Sequence, residues 1–390
     1  MAELRSKSNK KFMVLSAIGI FMVVDHHTFI AFNILGDFIP YNSFFMPMFV
    51  FISGYFNKVE SSTNLLKYLW KKVKTLLIPY TGITVTVFCL EWLINLLKTG
   101  QTPSIPGGYL LYVLDRIITV GAPFPLVEPM WFVISLFATL MIYAVLKKLL
   151  GKIWNSYAAL AVFAALHILA VYLARTIDTE SLTYLLHPLK VFFFLPFIEL
   201  GIIYRDHLEK KHSGMSGGFK IGLMVLLLII NMVRTLYMPN PYDIAFDSIG
   251  DLTGFTSPFI VTPLVSSLIG ILFWLTLTDL IGKPVSESRF VNYMSCNTFW
   301  IMGFHILFFN ILNFILMLIS DNVIYLPYFD SEVFRETEWY FWEISGNVKI
   351  LYVVVGILGP LGFKLIFDKI CSGLRNLFLN DTPQMVHRST

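Results

Sequence analysis

Charged residues are scarce in this sequence: Asp, Glu, Lys and Arg make up 14% of its 390 residues, against 56% hydrophobic residues. With a mean hydropathy of +0.70, that balance excludes an ordinary soluble domain. Cysteine is scarce too. Cys89, Cys296 and Cys371 lie far apart and give neither a disulfide framework nor a metal-ligand spacing. The sequence has no HExxH, no Cys/His ligand cluster and no glycine-rich phosphate loop, so no metal site is expected. No internal repeat, low-complexity linker or appended soluble domain stands out. The first apolar run follows Arg5, Lys7, Lys10 and Lys11, but it is too long for a signal core and no small-residue cleavage site follows. It is therefore expected to remain as a first transmembrane helix.

What is present is long apolar runs and aromatic residues, including 36 Phe. Runs of about 18 to 24 residues match the roughly 30 Å of hydrocarbon that a helix must cross. Read along the chain, they predict about ten spans: 12–34, 42–57, 75–98, 130–150, 156–175, 188–205, 219–238, 258–281, 297–319 and 348–371. The second and sixth are short and contain Pro47 and Pro196, which suits kinked or re-entrant segments. The stretch Gly108–Val120 reads as a loop element lying at the membrane surface. The expected fold is an all-α polytopic bundle with both termini cytoplasmic. It comprises an N-terminal segment 1–11, one membrane domain 12–371 and a tail 372–390.

Charge asymmetry supports the orientation. Lys67, Lys71, Lys72 and Lys74 follow span two, Lys147, Lys148 and Lys152 follow span four, and Arg205, Lys210 and Lys211 follow span six. The opposite side collects Asp243, Asp247 and Asp251, then Asp330, Glu332, Glu336, Glu338 and Glu343. The outer segments 99–129 and 320–347 are aromatic, acidic and proline-bearing, and are expected to cover an outer vestibule.

Ionisable residues inside apolar runs are costly and need a partner or a purpose. The densest group is Asp25-His26-His27 in "FMVVDHHTF", with His27 about 22 Å along the helix from Phe12. Adjacent helix positions diverge by about 100°, so His26 and His27 cannot both face one narrow cavity. For the same reason a direct Asp25–His27 pair is not expected, and His305 or Glu128 from another helix suits the orienting role better. His305 sits in mid-span and can be neutral in lipid and act as a base. His167 reads as a helix-packing hydrogen bonder, and Glu91, His187 and Asp279 lie near span ends, where snorkelling makes charge cheap. Glu199 completes the intramembrane set.

Several segments, taken in order, resemble the acyltransferase family 3 membrane proteins, which acylate cell-envelope polysaccharides and related acceptors. They are "GIFMVVDHH", "NSFFMPMFVFISGYF" with Ser53, Gly54 and Tyr55, "LWKKVKTLLIPY", "PMWFVISLF" with Trp131 and Phe132, "FFFLPFIELGIIYRD" with Gly201, and "VNYMSCNTFWIMGFHILF" with His305. The resemblance covers about 9–371 and places the family's essential first-helix histidine at His27. It departs in one respect: the usual basic residue eleven positions earlier is Ser16 here, with Lys11 nearest. The basic loop also carries lysines where arginines are common, replacing bidentate phosphate contacts with point charges.

The resemblance implies an O-acyltransferase of the cell (plasma or inner) membrane that draws acyl-CoA, most often acetyl-CoA, from the cytoplasm. The expected catalytic residues are His27, His26, Asp25 and His305, with Lys71, Lys72, Lys74 and Lys11 on the donor. Glu128, Trp131, Ser53 and Tyr55 are expected on the substrate side. The lysines serve equally as a positive-inside signal, and outer aromatics such as Tyr325, Tyr328, Trp339, Tyr340 and Trp342 serve equally as interface anchors or sugar platforms. Expected partners are the bilayer, an envelope glycan and a separate extracytoplasmic transferase or glycan-synthesis complex; no nucleic acid is expected. Two other readings use the same residues. One is a glycan or lipid-linked-sugar exporter with a proton relay. The other is a sensor or assembly subunit whose histidines are structural.

Overall fold

The computed structural model describes residues 2–29, 31–101, 107–177, 179–237, 260–337, 340–342 and 346–380. Of the described residues 83% are helical and none lies in a strand. The helices are α1 (Ala2–His26), α2 (Phe45–Tyr55), α3 (Leu65–Lys72), α4 (Ile78–Thr99), α5 (Tyr109–Thr119), α6 (Trp131–Leu150), α7 (Ser156–Thr176) and α8 (Thr179–Ile203). They continue as α9 (Glu209–Ser213), α10 (Gly217–Tyr237), α11 (Thr262–Ser286), α12 (Arg289–Cys296), α13 (Thr298–Asn322), α14 (Ser331–Glu336) and α15 (Gly346–Asn380). The outer acids Asp243, Asp247, Asp251, Glu338 and Glu343, and Trp339, lie outside the described residues.

Eight described stretches are long and apolar enough to cross a membrane, running from Leu65–Thr99 to Val348–Gly373. They coincide with the third to tenth expected spans. The first two apolar segments behave differently. α1 stops at His26, well short of the expected end near residue 34, and α2 has only 11 residues, or ~16 Å. α2 is too short for a full crossing, whereas α1 runs from Lys11 at the lysine-rich end to a terminus beside Phe29, which meets Lys349 at the other end. The two pack side by side and antiparallel, with Phe12 against Tyr55, Gly19 facing Met48 and His26 against Phe45. The loop between them, 27–44, is buried only in part, with Phe29, Phe32, Ile34 and Phe38 exposed. Phe44, at the far end of that loop, packs against Gly270 and Trp274, about 12 Å or more below the start of α11. Non-helical backbone at such depth is tolerated only when enclosed by protein; here Thr28, Ile39, Tyr41, Ser43 and Phe44 are all almost fully buried.

Contacts at the two ends agree with the expected alternation. At one end the start of α1 (Lys11) meets the ends of α8 and α11 (Tyr204, Asp279) and the start of α10 (Lys220). At the other, the end of α4 (Lys98) meets Thr337, and the start of α15 (Lys349) meets Phe29. Along the interior α2 and α8 run in backbone contact. A Cβ on Gly54 would stand 2.2 Å from the Ile198 carbonyl oxygen, and one on Gly201 would stand 2.2 Å from that of Phe51. Only glycine fits at either position. This close approach is the usual way membrane helices gain dispersion contact without a hydrophobic driving force. Gly108–Val120 forms α5, whose Leu110, Leu111, Leu114 and Ile118 are exposed along one side, as suits an element lying on the membrane surface.

Candidate active site

The site begins where α1 ends. Asp25 is fully buried, and its carboxylate accepts the backbone N–H groups of Ala31 (2.8 Å) and Phe32 (3.1 Å) and the Tyr41 hydroxyl. Tyr41 in turn accepts the Ile34 N–H. Ser267 donates to the Ser43 carbonyl at 2.6 Å, and Asn231 donates to that of Phe38. Asp25 therefore accepts from loop N–H groups that no helix or strand satisfies, and its carboxylate is turned to the loop. The loop is strained as well: Phe29 (φ 55°), Asn33 (φ 44°) and Leu35 (φ 58°) are left-handed. For a non-glycine residue that costs ~1–2 kcal/mol. Such strain persists only where surroundings over-determine it, and it clusters at functional sites.

His27 stands on the first residue beyond the helix. Its Nδ1 lies 2.7 Å from the Val23 carbonyl. A carbonyl can only accept, so Nδ1 carries the hydrogen and Nε2 the lone pair. His305, fully buried on α13, repeats the arrangement, with Nδ1 at 3.0 Å from the carbonyls of both Ile301 and Met302. The two rings meet edge to face with centroids 4.9 Å apart. His305 Nε2 is buried without a hydrogen-bond partner among the described residues. His26 takes another direction. Its ring lies 5.6 Å from Phe45, at the start of α2, and its Nδ1 is likewise unpartnered among the described residues.

Aromatic side chains cover the pair on the acidic side. Phe309 is 5.7 Å from His305, Phe341 is 5.7 Å from Phe309, and Phe29 is 5.1 Å from Phe341. Phe341 lies in the outer segment 340–342, which is tied to α13 by Asn313 donating to the Tyr340 carbonyl at 2.7 Å. Beside α13 packs the 3₁₀ turn Pro125–Met130, which carries Glu128 and leads into Trp131. The Lys190 ammonium, fully buried on α8, lies 3.7 Å from the centroid of the Trp131 ring. Sequence reading missed Lys190; the available signal was a lone cation inside the apolar run "HPLKVFFFLPF".

The remaining expected residues lie at the lysine-rich end. Lys11 is 6% exposed; it donates to the Tyr204 hydroxyl at 2.6 Å and pairs with Asp279 at 3.5 Å. Asp279 also pairs with Lys220 at 2.5 Å. Tyr204 contacts His212 Nδ1 at 2.9 Å, and Tyr55 donates to Glu209 at 2.7 Å. Lys11 and Tyr55 are thus built into a helix-end network remote from the paired histidines, and Ser53, two residues before Tyr55 on α2, is half-buried. Lys71 and Lys74 are exposed and Lys72 is half-buried, with Lys72 and Lys74 resting on Tyr68 and Trp70. Two other membrane ionisables have evident packing roles. His167 Nδ1 bonds the Phe193 carbonyl at 2.7 Å, and Glu199 accepts from Tyr143 at 2.6 Å. No group of three His, Cys, Asp or Glu side chains suited to a metal occurs among the described residues.

Fold and site together define a multi-pass helical membrane protein with an imidazole pair, one ring buried and one part-buried, where its first helix ends. The chain belongs to acyltransferase family 3: the family model described as "Acyltransferase domain" matches residues 12–367, from the start of α1's apolar face to well into α15. It is a membrane acyltransferase. No curated protein and no solved structure matches it.

Proposed function

We propose that this acyltransferase moves an acyl group, acetyl in the simplest case, from cytoplasmic acyl-CoA to a hydroxyl of an envelope glycan, with His27 as the base. The observation that carries this reading is the His27–His305 pair, in which both Nδ1 atoms are committed to backbone carbonyls and both Nε2 atoms carry lone pairs. The acceptor hydroxyl oxygen attacks the thioester carbonyl carbon while His27 Nε2 takes its proton. The C–S bond then breaks, and the same proton passes to the departing sulfur as CoA leaves. His305 orients His27 across the 4.9 Å ring contact and shares its positive charge while the proton is held. Lys71, Lys72 and Lys74 attract the donor's phosphates as point charges at the lysine-rich end, and Glu128 and Trp131 border the acceptor's approach beside α13.

The test is reconstitution of the pure protein in vesicles with radiolabelled acetyl-CoA inside and glycan outside. We expect CoA release and label on the glycan, both lost in His27→Ala. Indifference to acetyl-CoA together with glycan flux would instead establish an exporter.

A further inference from the structure

A second charge in the bundle has no function in the acyl-transfer scheme. Arg234 is the last residue of the apolar stretch Gly217–Arg234 of α10, and its side chain is only 9% exposed. Nε donates to the Asn231 side-chain oxygen at 2.8 Å, but Nη1 and Nη2 are buried and face no acceptor among the described residues. A guanidinium stays charged at any accessible pH and offers five donors in a planar fork. Two arms of that fork without an acceptor among the described residues are unfavourable inside a membrane bundle and suit the site to an anion. Asp243, Asp247 and Asp251, in the stretch after α10, lie outside the described residues.

Position narrows the kind of anion. Lys220, near the start of α10, is held by Asp279 at the lysine-rich end. Arg234 follows about 21 Å further along the helix, which carries it towards the opposite headgroup layer of a bilayer with ~30 Å of hydrocarbon. Phosphate esters are the anions concentrated there, and the fork matches two phosphate oxygens at once. Asn231 links the site to the loop beyond His27. Its oxygen takes Arg234 Nε, while its amide donates to the Phe38 carbonyl.

We propose that Arg234 and Asn231 form a binding site for a phosphate ester at the acidic side of the bundle. Two sources share that chemistry, a lipid headgroup phosphodiester and the phosphate of a lipid-linked acceptor. Occupancy completes the guanidinium's hydrogen bonds and, through Asn231, steadies the loop that starts at His27. The proposal does not rest on the acyl-transfer reading, and its readout is binding rather than turnover.

The test uses the full chain, delipidated in a phosphate-free non-ionic detergent, and its melting temperature with added phosphatidylglycerol or inorganic pyrophosphate. The wild type is expected to melt several degrees higher with a phosphate probe, and Arg234→Gln to lose that shift. A shift from phosphatidylglycerol alone identifies the headgroup; a shift from pyrophosphate as well identifies a compact phosphate site open to a lipid-linked acceptor. No shift in the wild type with either probe overturns the proposal, as does an equal shift in Arg234→Gln. Should Arg234→Gln not fold, Arg234→Lys decides, because lysine keeps the charge without the fork. A diminished shift supports the site and an undiminished one overturns it.

Discussion

Asp25, His26 and His27 are three consecutive residues with three different surroundings, and the differences lead to separate predictions. Asp25 holds the loop, so Asp25→Ala takes the acceptor from the part-buried Ala31 and Phe32 N–H groups. The cost is about 1–3 kcal/mol per stranded group, and a fall in melting temperature measured in detergent checks it; an unchanged melting temperature would show the loop to be held by other means. At the lysine-rich end, Asp279 serves both Lys11 and Lys220, whereas Lys11 keeps the Tyr204 hydroxyl whatever happens to the carboxylate. Asp279→Asn should therefore destabilise more than Lys11→Met, because it takes the shared carboxylate charge from two buried ammonium groups. Thermal unfolding of the two variants side by side gives the order. Should Lys11→Met instead leave stability intact and raise only the KM for acyl-CoA, Lys11 would be a donor contact. Much of this was legible in advance: three adjacent ionisable groups in an apolar run announce a function, and the 100° step separates His26 from His27. The carboxylate's turn towards the loop was not, because hydrogen bonds to residues 31 and 32 depend on a backbone reversal that hydropathy does not register.

Among the elements, α2 and α8 show why glycine occupies two of the motif positions. Gly54→Val or Gly201→Val would place a side chain against backbone, which cannot yield. Each should lower the yield of monodisperse protein in size-exclusion chromatography. Gly222→Val on α10, where a Cβ meets nothing within 4 Å, should not. Equal yields from all three would mean that α2 and α8 are not in backbone contact. The eight long spans were readable from composition because each is a long, mostly apolar run with charge at its ends. The second segment was readable as short and kinked or re-entrant from its length and Pro47, but the end of the first was not. The residues after His26 stay hydrophobic, so nothing in their composition marks the end of α1, and only the strained turn through Phe29 and Leu35 does so. Lys190 was overlooked for the opposite reason: a single cation hardly changes the mean hydropathy of a span whose neighbours are Phe and Leu.

For the whole molecule, the alternation of helix ends sets a lysine-rich face against an acidic, aromatic one. If the lysine-rich face is cytoplasmic, a membrane-impermeant maleimide should label Tyr328→Cys in intact cells and reach Lys71→Cys only after lysis, with the exposed Cys89, Cys296 and Cys371 changed to Ser beforehand. Labelling of Lys71→Cys from outside would invert the topology and put the donor on the wrong side. With that orientation, the proposed donor and acceptor would arrive from opposite faces and meet at the end of α1, where the His27 and His305 rings touch. The central claim is that His27, and not its neighbour, carries the chemistry. It is tested most directly by measuring acyl transfer to glycan by the wild type, His27→Ala and His26→Ala in the same membranes at matched expression. The account predicts a loss of about 10²–10⁴-fold for His27→Ala, the range for removing a general base, with most activity kept by His26→Ala. A His27→Ala protein that acylates at the wild-type rate would contradict it.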